Sequence, residues 1–303
     1  MMKSSQKRLG IASRLSALAI VAGALVIGMV AAPANAASVD TVSTSAASTS
    51  AASTSGISTA GLQRTSWFTS AGNYVALGDS FTSGQGAPPY DSGPCLHSRY
   101  GSFPTIAAAV SRYRLTANLG CSGATTADVA ALQLPAVPAN TALITLTVGG
   151  IDAGSDAVLA ACAPDPSAPA CAAALAAAAG ALPTVGPKLV VLYRAIAARA
   201  PNAKILVLGY PHLFNPGVQP PLGDAVNTAS DVLNSVIEGA VAAVGNSRIS
   251  YVDTTAAFAG HGIGSRLPYI NLTTVPLLAT ANFHPNYLGN LLAYPWALAP
   301  YGL

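Results

Sequence analysis

The chain has 303 residues, room for one large domain or two small ones, and only 8% of them are charged. Fourteen Lys and Arg face eleven Asp and Glu, but four of the basic residues (Lys3, Lys7, Arg8 and Arg14) fall in the first fourteen positions. Without them the balance is ten to eleven, which excludes a basic face for nucleic acid.

The basic stretch ending at Arg14 is followed by the apolar run LSALAIVAGALVIGMVAA and then by Ala34-Asn35-Ala36. Basic flank, apolar run and small-x-small site predict a signal peptide over 1–36, cleaved after Ala36, and hence a secreted protein without a stable membrane anchor. A retained transmembrane anchor is the lesser reading, as the run is nearly long enough to span. Residues 37–65 are rich in Ser, Thr and Ala, and STSAASTSAASTSG repeats every five positions from Ser43. Such a segment has too little bulky apolar surface to offset its ordering entropy and predicts a disordered linker.

From residue 66 to 303 short β-branched runs alternate with longer Ala/Leu-rich ones. Strands are predicted at Tyr74–Leu77, Leu115–Asn118, Ala142–Val148, Lys204–Leu208 and Ile249–Val252. Most lack a polar alternation, as strands covered on both faces do. Pro187 is expected to open a helix over PKLVVLYRAIAARA. A second helix follows in GDAVNTASDVLNSVIEGAVAAVG, with Val226, Leu233, Ile237 and Val241 along one side, and a last one begins near HPNYLGNLLAYPWAL. Alternating strands and helices predict an α/β domain with a parallel sheet covered on both faces, whose ligands sit beyond the carboxyl ends of the strands.

Ser80, in YVALGDSFTSGQGAP, lies at such an end. It can open a helix whose free N–H groups favour negative charge, and Gly78, Gly84 and Gly86 leave room around it. A plain N-cap serine is the competing reading. Gly120 ends the second strand in ANLGCSGATTADV, where its N–H can face the same crevice or form an ordinary turn. His284, in ANFHPNYLGN, precedes Pro285, a residue suited to a first helical position, so the imidazole is presented from a rigid start. Cys95, Cys121, Cys162 and Cys171 all lie beyond the signal, and an even number in an exported chain favours disulfides over metal ligands. The chain has no C-x-x-C, no H-E-x-x-H and no close pair among His97, His212, His261 and His284, so no metal is expected.

Gly78-Asp79-Ser80-Phe81, Gly120, Val148-Gly149-Gly150-Ile151-Asp152 and His284-Pro285-Asn286 together resemble the four ordered blocks of the GDSL, or SGNH, hydrolases. The likeness runs from about Tyr74 to the C-terminus and is greatest to the secreted, disulfide-bearing lipases and esterases of actinobacterial type. It implies a three-layer α/β/α, flavodoxin-like fold with a five-stranded parallel sheet. It also implies Ser80 as nucleophile, His284 as general base, and the Ser80 and Gly120 N–H groups as oxyanion donors. Disulfides are then expected between Cys95 and Cys121 and between Cys162 and Cys171.

Two positions depart from the family. Its third block carries Asn, whose amide is a further oxyanion donor, where this chain has Ile151 and only a backbone N–H. An Asp usually stands three residues before the histidine, where this chain has Ala281, so the Ala281 carbonyl is expected to orient the ring. The nearest preceding acid is Asp253, 31 positions away.

The expected function is a secreted serine ester hydrolase, a monomer without cofactor, acting on small-molecule or lipid esters. Ile151 favours the alternative, a degenerate domain binding esters or glycans with little or no turnover. A surface adhesive module rests only on the signal and the Ser/Thr tail. The absence of G-x-S-x-G argues against an α/β-hydrolase, and that of a Walker loop or G-x-G-x-x-G against a nucleotide cofactor.

Overall fold

A computed structural model describes residues 71–218 and 222–303. The expected signal peptide, the linker and the first residues of the expected domain lie outside the described residues.

In chain order the elements are β1 (Gly72–Gly78), α1 (Ser80–Ser83), α2 (Phe103–Val110), β2 (Tyr113–Asn118), α3 (Thr126–Asp128), β3 (Leu143–Thr147), α4 (Ser155–Cys162), α5 (Pro169–Arg199), β4 (Lys204–Leu208), α6 (Leu222–Val244), β5 (Ile249–Val252), α7 (Thr255–Phe258) and α8 (Tyr294–Leu298). The five strands pair in parallel in the order β2-β1-β3-β4-β5. This doubly wound order reverses direction between β1 and β3, the switch point where a crevice opens at the carboxyl edge. All five predicted strands form. β4 and β5 keep their predicted ends, β1 starts two residues earlier and ends one later, β2 starts two residues earlier, and β3 is one residue shorter at each end.

Alternate residues of the central strands feed two cores. Tyr74, Ala76, Leu143, Leu206 and Leu208 pack on one face of the sheet with Phe103, Phe214 and Tyr294. Val75, Leu77, Ile144, Leu146, Ile205 and Val207 pack on the other with Leu189, Tyr193, Ile196 and Ile237. Burial on both faces explains why these strands read as continuous apolar runs.

The helix expected to open at Pro187 instead begins at Pro169 and runs through Pro183 and Pro187. Both prolines lie on its exposed side, where water can take up the carbonyls they leave without donors. The Ala-rich stretch before them is strongly helix-forming. Although α5 is long and apolar enough to cross a membrane, its second half is a core element, with Val185, Leu189, Leu192, Tyr193 and Ile196 buried.

Candidate active site

The end of β1 is built for close approach. Gly78 has φ 130°, and a β-carbon there would lie 2.2 Å from the Thr147 carbonyl oxygen of β3. The buried Gln133 side chain accepts from the Gly78 N–H and donates to its carbonyl, at 2.8 Å each. The next residue, Asp79, caps α1, its Oδ1 accepting the Phe81 N–H at 3.0 Å. With Asp79 as the cap, the Ser80 hydroxyl is free to face His284, whose Nε2 lies 2.7 Å from Ser80 Oγ.

His284 stands on a loop held at both ends. The Phe283 N–H donates to the Asn271 carbonyl at 2.8 Å, and the Asn271 N–H donates to the His284 carbonyl at 3.0 Å. Gly86 packs against this loop so closely that a β-carbon would lie 2.0 Å from the Pro285 carbonyl oxygen. Pro285 is not the first helical residue. It bridges Ile270, and the helical run starts at Tyr287 behind Asn286, whose Oδ1 accepts the Gly289 N–H at 3.0 Å. Asn caps a helix better than a preceding proline can, which moves the start two residues on.

The carbonyl that orients the ring also differs from the expectation. His284 Nδ1 lies 2.7 Å from the Asn282 carbonyl, while the Ala281 carbonyl accepts only the His284 backbone N–H. Phe283, at φ 61°, turns the chain so that the nearer carbonyl reaches the ring. The Asn282 side chain clamps Thr273, accepting from its N–H at 2.8 Å and donating to its carbonyl at 2.9 Å. A carbonyl only accepts, so Nδ1 carries the ring proton and Nε2 is left to accept from the Ser80 hydroxyl. Burial pushes the imidazole down from 6.5 to about 4, against a smaller upward pull from the Asn282 carbonyl. At neutral pH the ring is an uncharged base.

Two backbone donors belong to residues that line one cavity. Among the described residues, the N–H groups of Ser80 and Ile151 have no hydrogen-bond acceptor. Gly120 is less free. Its N–H donates to Asn118 Oδ1 at 3.1 Å, its carbonyl accepts from His97 Nε2, a β-carbon there would lie 2.7 Å from Thr82 Cγ2, and it is not among the residues that line that cavity.

A cavity of about 490 Å³ opens from Ser80 and His284 toward α4, α5 and α6. Its walls are predominantly apolar, with Ile151, Leu159, Leu182, Leu213, Val226 and Phe283 among them. One long apolar recess meeting a few convergent polar groups is the form of a small-molecule site. Residues 76–292 match the GDSL-like Lipase/Acylhydrolase family. The chain belongs to that family.

As a GDSL-like hydrolase the protein is a carboxylic ester hydrolase with the family's α/β/α fold. It is 37% identical to a lipase of Streptomyces rimosus, over 74% of this chain and 84% of that one. It is 34% identical to Lipase 1 of Streptomyces coelicolor, over 74% and 85%. Among solved structures, the extracellular lipase of Streptomyces rimosus superposes with a TM-score of 0.67 at 35% identity, covering 76% of this chain and 99% of the other. Phospholipase A1 of Streptomyces albidoflavus does so with 0.69 at 34%, covering 76% and 98%.

Both cysteine pairs of this hydrolase are bonded. Cys95–Cys121 ties the loop after α1 to the Gly120 turn, and Cys162–Cys171 fastens the end of α4 to the start of α5. Among the described residues no group of three or more His, Cys, Asp or Glu is placed to hold a metal ion. Sequence reasoning missed Asn282, Gln133 and Tyr210. Tyr210, in LGYPHLF, stands two residues beyond the end of β4, as Ser80 stands two beyond the end of β1.

Proposed function

We propose that this protein is a secreted serine ester hydrolase that cleaves lipid or small acyl esters, as a monomer without cofactor, through an acyl-enzyme on Ser80. His284 Nε2 takes the hydroxyl proton as Ser80 Oγ attacks the ester carbon, and returns it to the leaving alcohol. Water then repeats the sequence to free the acid. The Asn282 carbonyl holds the ring in the required tautomer, in the place where many triads use a carboxylate. The Ser80 and Ile151 N–H groups receive the oxyanion, with Gly120 as a donor shared with Asn118. The acyl chain lies in the apolar cavity.

The observation that carries this reading is the 2.7 Å contact between Ser80 Oγ and a neutral His284 Nε2 at the mouth of an apolar cavity of about 490 Å³. An open cavity and an intact nucleophile–base contact argue against a degenerate binding module. Secretion is supported by the basic, apolar and small-x-small order of the first 36 residues and by a relative described as extracellular. The test is hydrolysis of p-nitrophenyl esters of increasing acyl length by the mature protein, beside labelling with a fluorophosphonate. Wild type is expected to turn over and to label, and Ser80→Ala to do neither. Labelling that persists in Ser80→Ala overturns the assignment.

A further inference from the structure

The hydrolase lacks the side-chain amide that its relatives direct at the oxyanion, so the Ile151 N–H has to serve from the backbone. A side chain can reach and adjust, whereas a peptide N–H points wherever its turn points. That turn is Gly149-Gly150, two residues with no Cβ to restrict them, and Gly149 sits at φ 123°. Its carbonyls are fixed from the start of α4, where the Ala153, Ser155 and Gly154 N–H groups donate to Gly149, Gly150 and Ile151 at 3.0 Å each, and the Gly150 N–H is left to be fixed from outside the turn.

Tyr210 is placed to do so. Its hydroxyl accepts the Gly150 N–H at 2.9 Å and donates to Asp79 Oδ2. Asp79 caps the helix that carries Ser80. One buried hydroxyl therefore joins the turn behind Ile151 to the turn behind the nucleophile. The tyrosine is itself held on two sides. Its N–H donates to Asn234 Oδ1 and its carbonyl accepts from Asn234 Nδ2, both at 2.8 Å, which pins its backbone to α6. Its ring stands edge-on to Phe81 at 5.0 Å, and Phe81 in turn packs 5.1 Å from the His284 ring. Gly150 admits this approach, since a β-carbon there would sit 3.2 Å from the Tyr210 hydroxyl oxygen.

We infer that Tyr210 is a positioning residue for ester hydrolysis, its hydroxyl locking the Gly150 peptide and the Asp79 cap so that the Ile151 and Ser80 N–H groups converge on one oxyanion. The inference rests on the serine–histidine reading. An oxyanion is fully formed only in the transition state, so disturbing the lock should lower kcat and leave KM nearly unchanged.

The test is Tyr210→Phe, which keeps the ring and removes the oxygen, measured alone and combined with Ile151→Asn. Alone it is expected to lower kcat by about 10- to 100-fold with KM within about twofold. In the Ile151→Asn background the loss is expected to shrink at least threefold, because the amide no longer depends on how the Gly150 peptide is held. A tyrosine serving only stability would show the same loss in both backgrounds, and that result, or an unchanged kcat, overturns the inference. If Tyr210→Phe does not fold, Asp79→Asn takes its place. It keeps an acceptor for the Phe81 N–H but turns an amide N–H toward the tyrosine, and a kcat fall of about tenfold is expected. Unchanged kcat in that variant equally overturns the inference. Fluorophosphonate labelling of Ser80 in every variant separates this outcome from failure of the nucleophile assignment.

Discussion

Replacing Ile151 with Asn puts a donor where the family has one and this chain has a hydrocarbon. Ile151 is half-buried and lies, like Tyr210, on the cavity wall, so the new amide has open space before it rather than a closed core. Removing one such donor typically costs about a hundred- to a thousandfold in kcat. Adding one to the proposed hole of two backbone N–H groups should recover the lower part of that range, up to about a hundredfold, or ~2.7 kcal/mol of barrier. The cost in stability is modest. Half-exposed isoleucine gives up about 1 kcal/mol of apolar burial, a Tm loss of about 2–4 °C. A short ester such as p-nitrophenyl butyrate suits the assay, since its acyl group depends little on the hydrocarbon removed. The expected result is a higher kcat with KM within about twofold and the small Tm loss. No gain in kcat together with a loss of more than about 2 kcal/mol would mean that the amide is buried without a partner. The oxyanion would then not form next to residue 151, and the reasoning fails.

Three further outcomes are expected. Because burial holds His284 near 4, protonation of the base should give kcat/KM an acid limb with a midpoint close to pH 4 in Asp79→Asn, where the carboxyl raised to about 7 no longer titrates; a midpoint at 6.5 would show that the base is not desolvated. Burial, opposed by the Tyr210 hydrogen bond, raises Asp79 from 3.8 to about 7, so between those values the folded chain holds a proton that the unfolded chain has released. Stability from this group is present below pH 3.8 and is lost as pH rises toward 7, so Asp79→Asn should gain in Tm relative to wild type from pH 5 to pH 8, and parallel profiles refute it. Replacing Cys162 and Cys171 together with Ser should cost about 2–3 kcal/mol in denaturant unfolding for so short a loop, and should raise KM for long acyl esters more than for short ones. An unchanged ratio of the two KM values would mean that the bond does not shape the cavity.

Much of this was legible in the residues. The strands announced themselves because burial on both faces demands unbroken apolar runs, and α6 because Val226, Leu233 and Ile237 recur on one buried side. The 2.7 Å contact between Ser80 and His284 joins two segments, GDSF and HPN, that read as local signatures. What failed has a shared cause, dependence on backbone direction. Pro187 is a strong helix-start signal, yet it is tolerated inside α5 because of which side of the helix meets water. The carbonyl that orients His284 was placed one residue too early, since nothing in ANFH shows that Phe283 adopts a positive φ. Gly120 was open to facing the crevice or forming an ordinary turn, and nothing in ANLG shows that Asn118, two residues before it, shares its N–H.

Tyr210 was illegible for a further reason. An aromatic residue after an apolar strand reads as core, and most are. Its role depends on the sheet order, in which β1, β3 and β4 lie side by side. Their carboxyl ends deliver Asp79 and Ser80, then Gly150 and Ile151, then Tyr210, from segments 131 positions apart at the extremes. Parallel pairing puts all three turns at one edge of the sheet, and only two of the three carry a family signature. The Ser80 block and the glycine turn were each visible as sequence. The hydroxyl joining them belongs to the topology, and in a chain that has Ile151 for Asn, that junction is where a backbone donor can be held to the geometry a flexible amide would otherwise find for itself.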